Sequence, residues 1–91
     1  MVELNPDSGL TVSIERGTDD WAYAVSITYD GDPVTEYGSN FEPWGRAGRK
    51  ILGNILARRI DAYDSRERVG ELLSETFEGR EAELEDALGP A

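Results

Sequence analysis

The sequence predicts an α+β domain: a small antiparallel sheet of three or four strands, followed by two or three helices packed on one face (β-β-β-α-α). Three observations lead to this prediction. Side chains alternate between two faces in residues 10–16 and 21–29, residues 43–60 are amphipathic with a helical period, and 91 residues are the length of one domain. We therefore expect residues 1–91 to form a single compact domain.

The first strands follow from the alternation. Leu10 to Arg16 places apolar side chains on one face and polar ones on the other, which is typical of a half-buried strand. Val2 and Leu4 predict a short edge strand before it, ahead of a turn cluster at residues 5–9. A second turn is expected at residues 17–20.

The clearest strand is predicted from Trp21 to Tyr29. Its large side chains share one face, which we expect to be the core face; they are Trp21, Tyr23, Val25, Ile27 and Tyr29. Its small side chains share the other face and could contact a second subunit; they are Ala22, Ala24, Ser26 and Thr28. Asp30-Gly31 indicates a hairpin turn, and residues 33–37 return as the partner strand.

The central helix is predicted over residues 43–60 and should end near Ala62. Asn40 or Glu42 is the expected N-cap, which puts Pro43 in the first turn. The apolar face repeats at i, i+3, i+4 and i+7; it comprises Trp44, Ala47, Gly48, Ile51, Leu52, Ile55, Leu56 and Tyr63.

The remaining residues predict one or two further helices. Asp64, with Glu67 three residues later, resembles a capping box at the start of a second helix. Gly79 is a suitable C-terminal stop, and residues 81–88 form either a third helix or a continuation of the second after a break.

The composition argues against an enzyme. The chain has no cysteine and no histidine, which removes the thiol nucleophile, thiolate metal sites and the commonest general base. It also lacks a nucleophile elbow, a P-loop and a dinucleotide fingerprint. We expect a non-enzymatic protein with no cofactor and no metal site. No apolar run approaches the ~20 residues of a membrane span and no signal peptide is visible, so a cytoplasmic location is expected.

The net charge of −10 is unusual, and only one of the nine basic residues is lysine. This acidic, lysine-poor composition resembles that of proteins from salt-accumulating haloarchaea. Because salt screens the repulsion among the carboxylates, we expect a higher melting temperature in molar potassium chloride than in dilute buffer. A melting temperature that stays flat across that range would contradict this expectation.

Positive charge is concentrated in one stretch. Residues 43–60 hold five of the nine basic residues and no acid. One interpretation is a solvated helix face that pairs with acids on neighbouring elements. The other is a nucleic-acid-binding face, whose candidate residues are Gly45, Arg46, Gly48, Arg49, Lys50, Arg58 and Arg59.

The segment Gly45-Arg46-Ala47-Gly48 resembles the G-x-x-G loop with which KH domains clamp a nucleic-acid backbone. The resemblance implies phosphate contact by backbone N–H groups, with Arg46, Arg49 and Lys50 adding charge. It covers fewer than ten residues, and the sequence departs from the KH pattern because no full helix precedes the loop.

The leading hypothesis is a protein-interaction domain, with a homodimer formed through the small-residue strand face. The alternative is RNA or DNA binding through the basic helix. A third hypothesis, mimicry of nucleic acid toward a basic partner, depends on net charge alone. Two weaker candidates remain. Asp30, Asp32 and Glu36 could form a cation site, but a solvated hairpin turn is the simpler interpretation. The strand aromatics could stack on bases, but core packing is the simpler interpretation.

Overall fold

Four antiparallel strands form one sheet, and three helices follow them, in the computed structural model, which describes residues 1–18 and 20–89. Asp19, expected in a turn, lies outside the described residues, as do Pro90 and Ala91. The strands are β1 (Val2–Asp7), β2 (Leu10–Arg16), β3 (Tyr23–Tyr29) and β4 (Asp32–Ser39), and they are ordered β1-β2-β3-β4. The predicted α+β arrangement is confirmed, with the edge strand β1 as the fourth strand.

The register of the sheet places the apolar residues on one face. Val12 pairs with Ile27 and Ile14 with Val25, and these side chains are buried. The predicted hairpin at Asp30 and Gly31 is confirmed, because both residues have positive φ angles, 51° and 85°, as a two-residue turn matching the strand twist requires. The first turn is shorter than predicted, since β1 continues to Asp7 with a register irregularity after Leu4.

The expectation that Trp21 belongs to the core face is wrong. Its side chain is 53% exposed, and the strand begins only at Tyr23. The Ala22 carbonyl accepts a hydrogen bond from the Gly17 N–H, and the Ala22 N–H donates to Asn40 Oδ1. The segment is therefore held by hydrogen bonds to Gly17 and Asn40, and the strand alternation does not extend back to Trp21.

Three α-helices and one short 3₁₀ turn complete the fold: α1 (Arg46–Arg59), the turn Asp61–Tyr63, α2 (Arg66–Phe77) and α3 (Glu81–Leu88). The predicted starts of α1 and α2 are wrong. Gly45 caps α1, because residues 42–45 form a tight turn in which the Gly45 N–H donates to the Glu42 carbonyl. Ser65, rather than Asp64, caps α2 through its Oγ.

The ends of the helices differ partly from the prediction. α1 ends at Arg59, before the expected Ala62, because Ile60 adopts an extended conformation. Gly79 separates α2 from α3 with a φ of +81°, which resolves the alternative in favour of a separate third helix.

The core lies between the sheet and the helices. α2 packs against β1, α3 against β1 and β2, and α1 against α2 and the 3₁₀ turn. Of the predicted apolar helix face, Ala47 is exposed, Ile51 and Ile55 are half-buried, and the other five residues are buried. Among residues 1–18 and 20–89, no helix combines the length and apolar character needed to cross a membrane.

A polar contact joins the sheet to the helical layer. The buried Tyr63 hydroxyl donates to Asp7 Oδ2 at 2.9 Å, and Arg68 Nη2 lies 3.8 Å from the same oxygen. The tyrosine hydrogen bond, aided by the Ser8 N–H and Arg68, lowers the pKa of Asp7. Burial and the neighbouring carboxylate raise the pKa of Tyr63.

Candidate functional site

A groove opens along the seam between α1 and α2. The two helices run antiparallel, since Arg49 lies opposite Ser74 while Gly53 lies opposite Val69. A Cβ on Gly53 would lie 3.5 Å from Val69 Cγ1, an ordinary van der Waals contact, so Gly53 faces α2 in the seam. The groove has a volume of about 470 Å³.

Four cationic side chains line this groove, which we call the basic groove: Arg46, Arg49 and Lys50 from α1 and Arg66 from α2. No carboxylate of residues 1–18 or 20–89 lines it. Arg46, Lys50 and Arg66 are exposed, while Arg49 is half-buried and its Nη1 lies 3.5 Å from Ser74 Oγ. The arrangement combines a positive field with side chains free to contact a ligand.

The basic stretch forms a solvated helix face, as one interpretation predicts, but among the described residues it makes no ion pair with neighbouring acids. The ion pairs of the described residues are Arg68–Asp7 and Arg80–Glu83, and neither involves a residue of α1. The first turn of α1 also contains no acid. Arg46, Arg49 and Lys50 lie near the positive end of the helix dipole, so a bound anion would relieve the repulsion between these cations and the dipole.

The structure separates the predicted nucleic-acid residues into two groups. Arg46, Arg49 and Lys50 come together in the basic groove, whereas Arg58 and Arg59 lie in the last turn of α1 outside it, where they favourably oppose the negative end of the dipole. Sequence reasoning missed Arg66. One sequence signal pointed to it. Arg66 lies in the first turn of α2, and the short connection after α1 favours antiparallel packing of the two helices.

The two glycines of the G-x-x-G segment have structural explanations. A Cβ on the buried Gly48 would clash with the Glu42 carbonyl oxygen, and the Gly45 N–H is already bonded to that oxygen. The resemblance to KH domains does not extend to the fold, because a four-stranded sheet precedes the segment and α2 follows α1. The basic side chains, rather than the glycines, are what this region offers to a ligand.

The opposite side of the molecule carries a second groove, which we call the sheet trough. Ala24, Ser26 and Thr28 lie on this outer face of β3, as the alternation predicts, whereas Ala22 precedes the strand. The trough has a volume of about 460 Å³ and is lined by Trp21, Ala24, Ser26 and Gly38, with the carboxylates of Glu15, Asp20 and Glu36.

The remaining candidates find no support as sites. Tyr23 packs edge-on against Trp44 with ring centroids 5.5 Å apart, and the half-buried Tyr29 packs on Tyr63 at 5.8 Å, so these two tyrosines are engaged in core packing. Burial also raises the pKa of Tyr37 to about 12. Within the part of the chain that the structure describes, no three carboxylates are grouped to hold a metal ion, Asp30, Asp32 and Glu36 included.

Comparison with known protein families, with curated proteins and with solved structures finds no match for this chain. The proposals below therefore depend on the two grooves and their chemistry.

Proposed function

We propose that this domain is a non-enzymatic binding module whose basic groove binds the phosphate backbone of RNA or DNA. The observation that supports it is the groove itself: its four charged side chains are all cationic, in a protein of net charge −10. An acidic protein repels nucleic acid at long range, so binding requires a local positive surface clear of carboxylates. The basic groove is lined by cations and, among the described residues, by no carboxylate.

The shape of the groove favours backbone contact over base readout. Gly53 and Gly70 contribute no side chains, and a Cβ built on Gly70 would meet no atom within 4 Å beyond its own stretch of helix. A nucleic-acid backbone can therefore lie along the seam between α1 and α2, with Arg46, Arg49 and Lys50 toward one end and Arg66 toward the other. Arginine and lysine contacts to phosphate give affinity that falls steeply with salt and carries little sequence preference. A cytoplasmic location, which the sequence predicts, would bring the domain into contact with such a partner.

The test is fluorescence anisotropy with labelled single-stranded RNA and DNA of mixed sequence, across a series of salt concentrations that keep the protein folded. We expect Arg46→Gln with Lys50→Gln to weaken binding by at least about tenfold and to flatten the salt dependence by roughly 0.7 in log–log slope per lost phosphate contact. Both side chains are exposed, so the fold should persist.

The matched control is Arg58→Gln with Arg59→Gln, which removes the same charge from the same helix outside the groove. It should weaken binding only slightly. Equal losses in the two double variants would show attraction to the net charge of α1 rather than a site. No binding by the unmodified protein at any salt concentration would contradict the proposal.

The hypothesis of protein association, including a homodimer, concerns the opposite face. The exposed Trp21 beside the small floor of the sheet trough favours a partner there. Addition of a strand at a sheet edge is disfavoured, because each edge strand carries a proline and a register shift: Pro6 in β1 and Pro33 in β4. A strictly monomeric mass at high protein concentration and high salt would contradict the homodimer.

A further inference from the structure

We propose that the sheet trough binds a cationic, arginine-bearing segment of another protein. This inference rests on the hypothesis of protein association and specifies the chemistry of the partner. It concerns the face of the molecule opposite the basic groove, and it does not depend on nucleic-acid binding.

The register of the sheet builds the trough. β2 and β4 lie on either side of β3, roughly 10 Å apart, which is two interstrand spacings. On the outer face Glu15 pairs with Ala24, and Ser26 pairs with Glu36. Long acidic side chains from the flanking strands therefore stand on both sides of a floor made of small residues. The width fits one extended side chain or segment.

Trp21 forms one end of the trough and is held in a fixed position. Its indole packs on Gly38, where any Cβ would clash with the ring, and its backbone carbonyl packs on Gly17 in the same way. The hydrogen bonds of the adjacent Ala22 to Gly17 and Asn40 fix the backbone further. Trp21 nevertheless stays 53% exposed, so an apolar surface is preorganised toward solvent.

The charge around the indole selects a cation. Glu15, Asp20 and Glu36 line the trough, no basic side chain lines it, and none of the three forms an ion pair within the described residues. Tryptophan is the best aromatic partner for a cation, and a planar guanidinium can stack on the ring while bonding carboxylates. The chain uses this pairing internally, since the Arg16 guanidinium lies 5.3 Å from the centre of the Tyr23 ring.

The experiment is a two-dimensional NMR titration of the labelled protein with an acetylated, amidated pentapeptide of alternating arginine and glycine. The control peptide has citrulline, a neutral isostere, in place of arginine. We expect saturable shifts at the Trp21 indole N–H and at the Ala24 and Gly38 amides with the arginine peptide alone. Trp21→Leu should weaken binding about two- to fivefold, the factor of an exposed cation–π contact.

Carboxylate variants distinguish binding in the sheet trough from attraction of the peptide to the net negative charge of the protein. Glu36→Gln should weaken binding, whereas Glu85→Gln, which removes an exposed acid on α3 outside the trough, should not. Equal weakening by both would overturn the proposal, as would equal shifts with the citrulline peptide, equal shifts with a neutral oligosaccharide, or no saturable shift. If the same signals move with protein concentration alone, a second copy of the chain occupies the trough. That outcome would support protein association and overturn the proposal of an arginine-bearing partner.

Discussion

The basic groove and the sheet trough are two solvent-open grooves of nearly equal volume, about 470 and 460 Å³, on opposite sides of the molecule. They differ in charge and in origin. The groove takes three of its four cations from a single helix, while the trough takes its carboxylates from β2, the β2–β3 loop and β4. A net charge of −10 thus conceals two separated surfaces: the positive one draws most of its charge from one helix, and the negative one draws its charge from three separate segments.

The two tryptophans give the largest expected contrast between the faces. Trp44 is 2% exposed on the helical side of the sheet, so Trp44→Ala should destabilise the fold by about 3–5 kcal/mol. Trp21→Ala should cost less than about 1 kcal/mol, because the outer side of its ring already faces water. Denaturant unfolding at fixed salt concentration measures both. A cost for Trp21 close to that for Trp44 would mean that the sheet trough is part of the core.

Two helical glycines beside the basic groove give an intermediate contrast. Gly48→Ala should destabilise the protein by about 1–3 kcal/mol, because the added Cβ meets the Glu42 backbone. Gly70→Ala should stabilise it by about 0.5–1 kcal/mol, since its Cβ enters open space in a helix. Thermal melts of the two variants test this. If Gly70→Ala also destabilises, the groove floor is tighter than the structure shows.

The smallest expected effect concerns the contact that joins the two layers. The pKa of Asp7 is lowered from 3.8 on folding, so its contribution to stability is present above pH 3.8 and is lost as pH falls through the folded-state value. Tyr63→Phe removes the main cause of that shift. We expect this variant to melt below the unmodified protein at pH 7, with a difference that shrinks below pH 3.8.

Melting curves from pH 7 to pH 2.5 in constant salt provide the measurement, and Asp7→Asn is the control. The asparagine variant should show the same reduced dependence on acid as Tyr63→Phe. A difference between Tyr63→Phe and the unmodified protein that persists unchanged at pH 2.5 would show that packing, rather than the hydrogen bond to Asp7, explains the loss.

Local patterns were sufficient to predict most elements of the fold. Alternating side chains predicted β2 and most of β3, and Asp30-Gly31 predicted the hairpin. In each case the residues of the segment itself determine its backbone conformation. Helix starts were predicted less well. Gly45 became the N-cap of α1 because the Glu42 carbonyl organises the preceding turn, and that contact depends on the burial of Pro43 and Trp44.

The candidate sites were predicted only in part, for a related reason. Arg46, Arg49 and Lys50 are close in sequence, so their grouping was visible, whereas Arg66 joins them only through the antiparallel packing of α2. Trp21 continued the alternation of β3 and so was assigned to the core. Its exposure depends on the partners of Ala22, which come from Gly17 and Asn40.

The packing of α2 and α3 on the first two strands has a consequence for biosynthesis. The apolar side chains of β1 and β2, among them Leu4 and Val12, leave the ribosome well before the helices that cover them, which begin at Arg66. The β1–β2 hairpin therefore exposes its apolar face until α2 and α3 have been synthesised as well. We expect this domain to acquire its native state in one late, cooperative step, and nascent chains that stop before α2 to depend on chaperones.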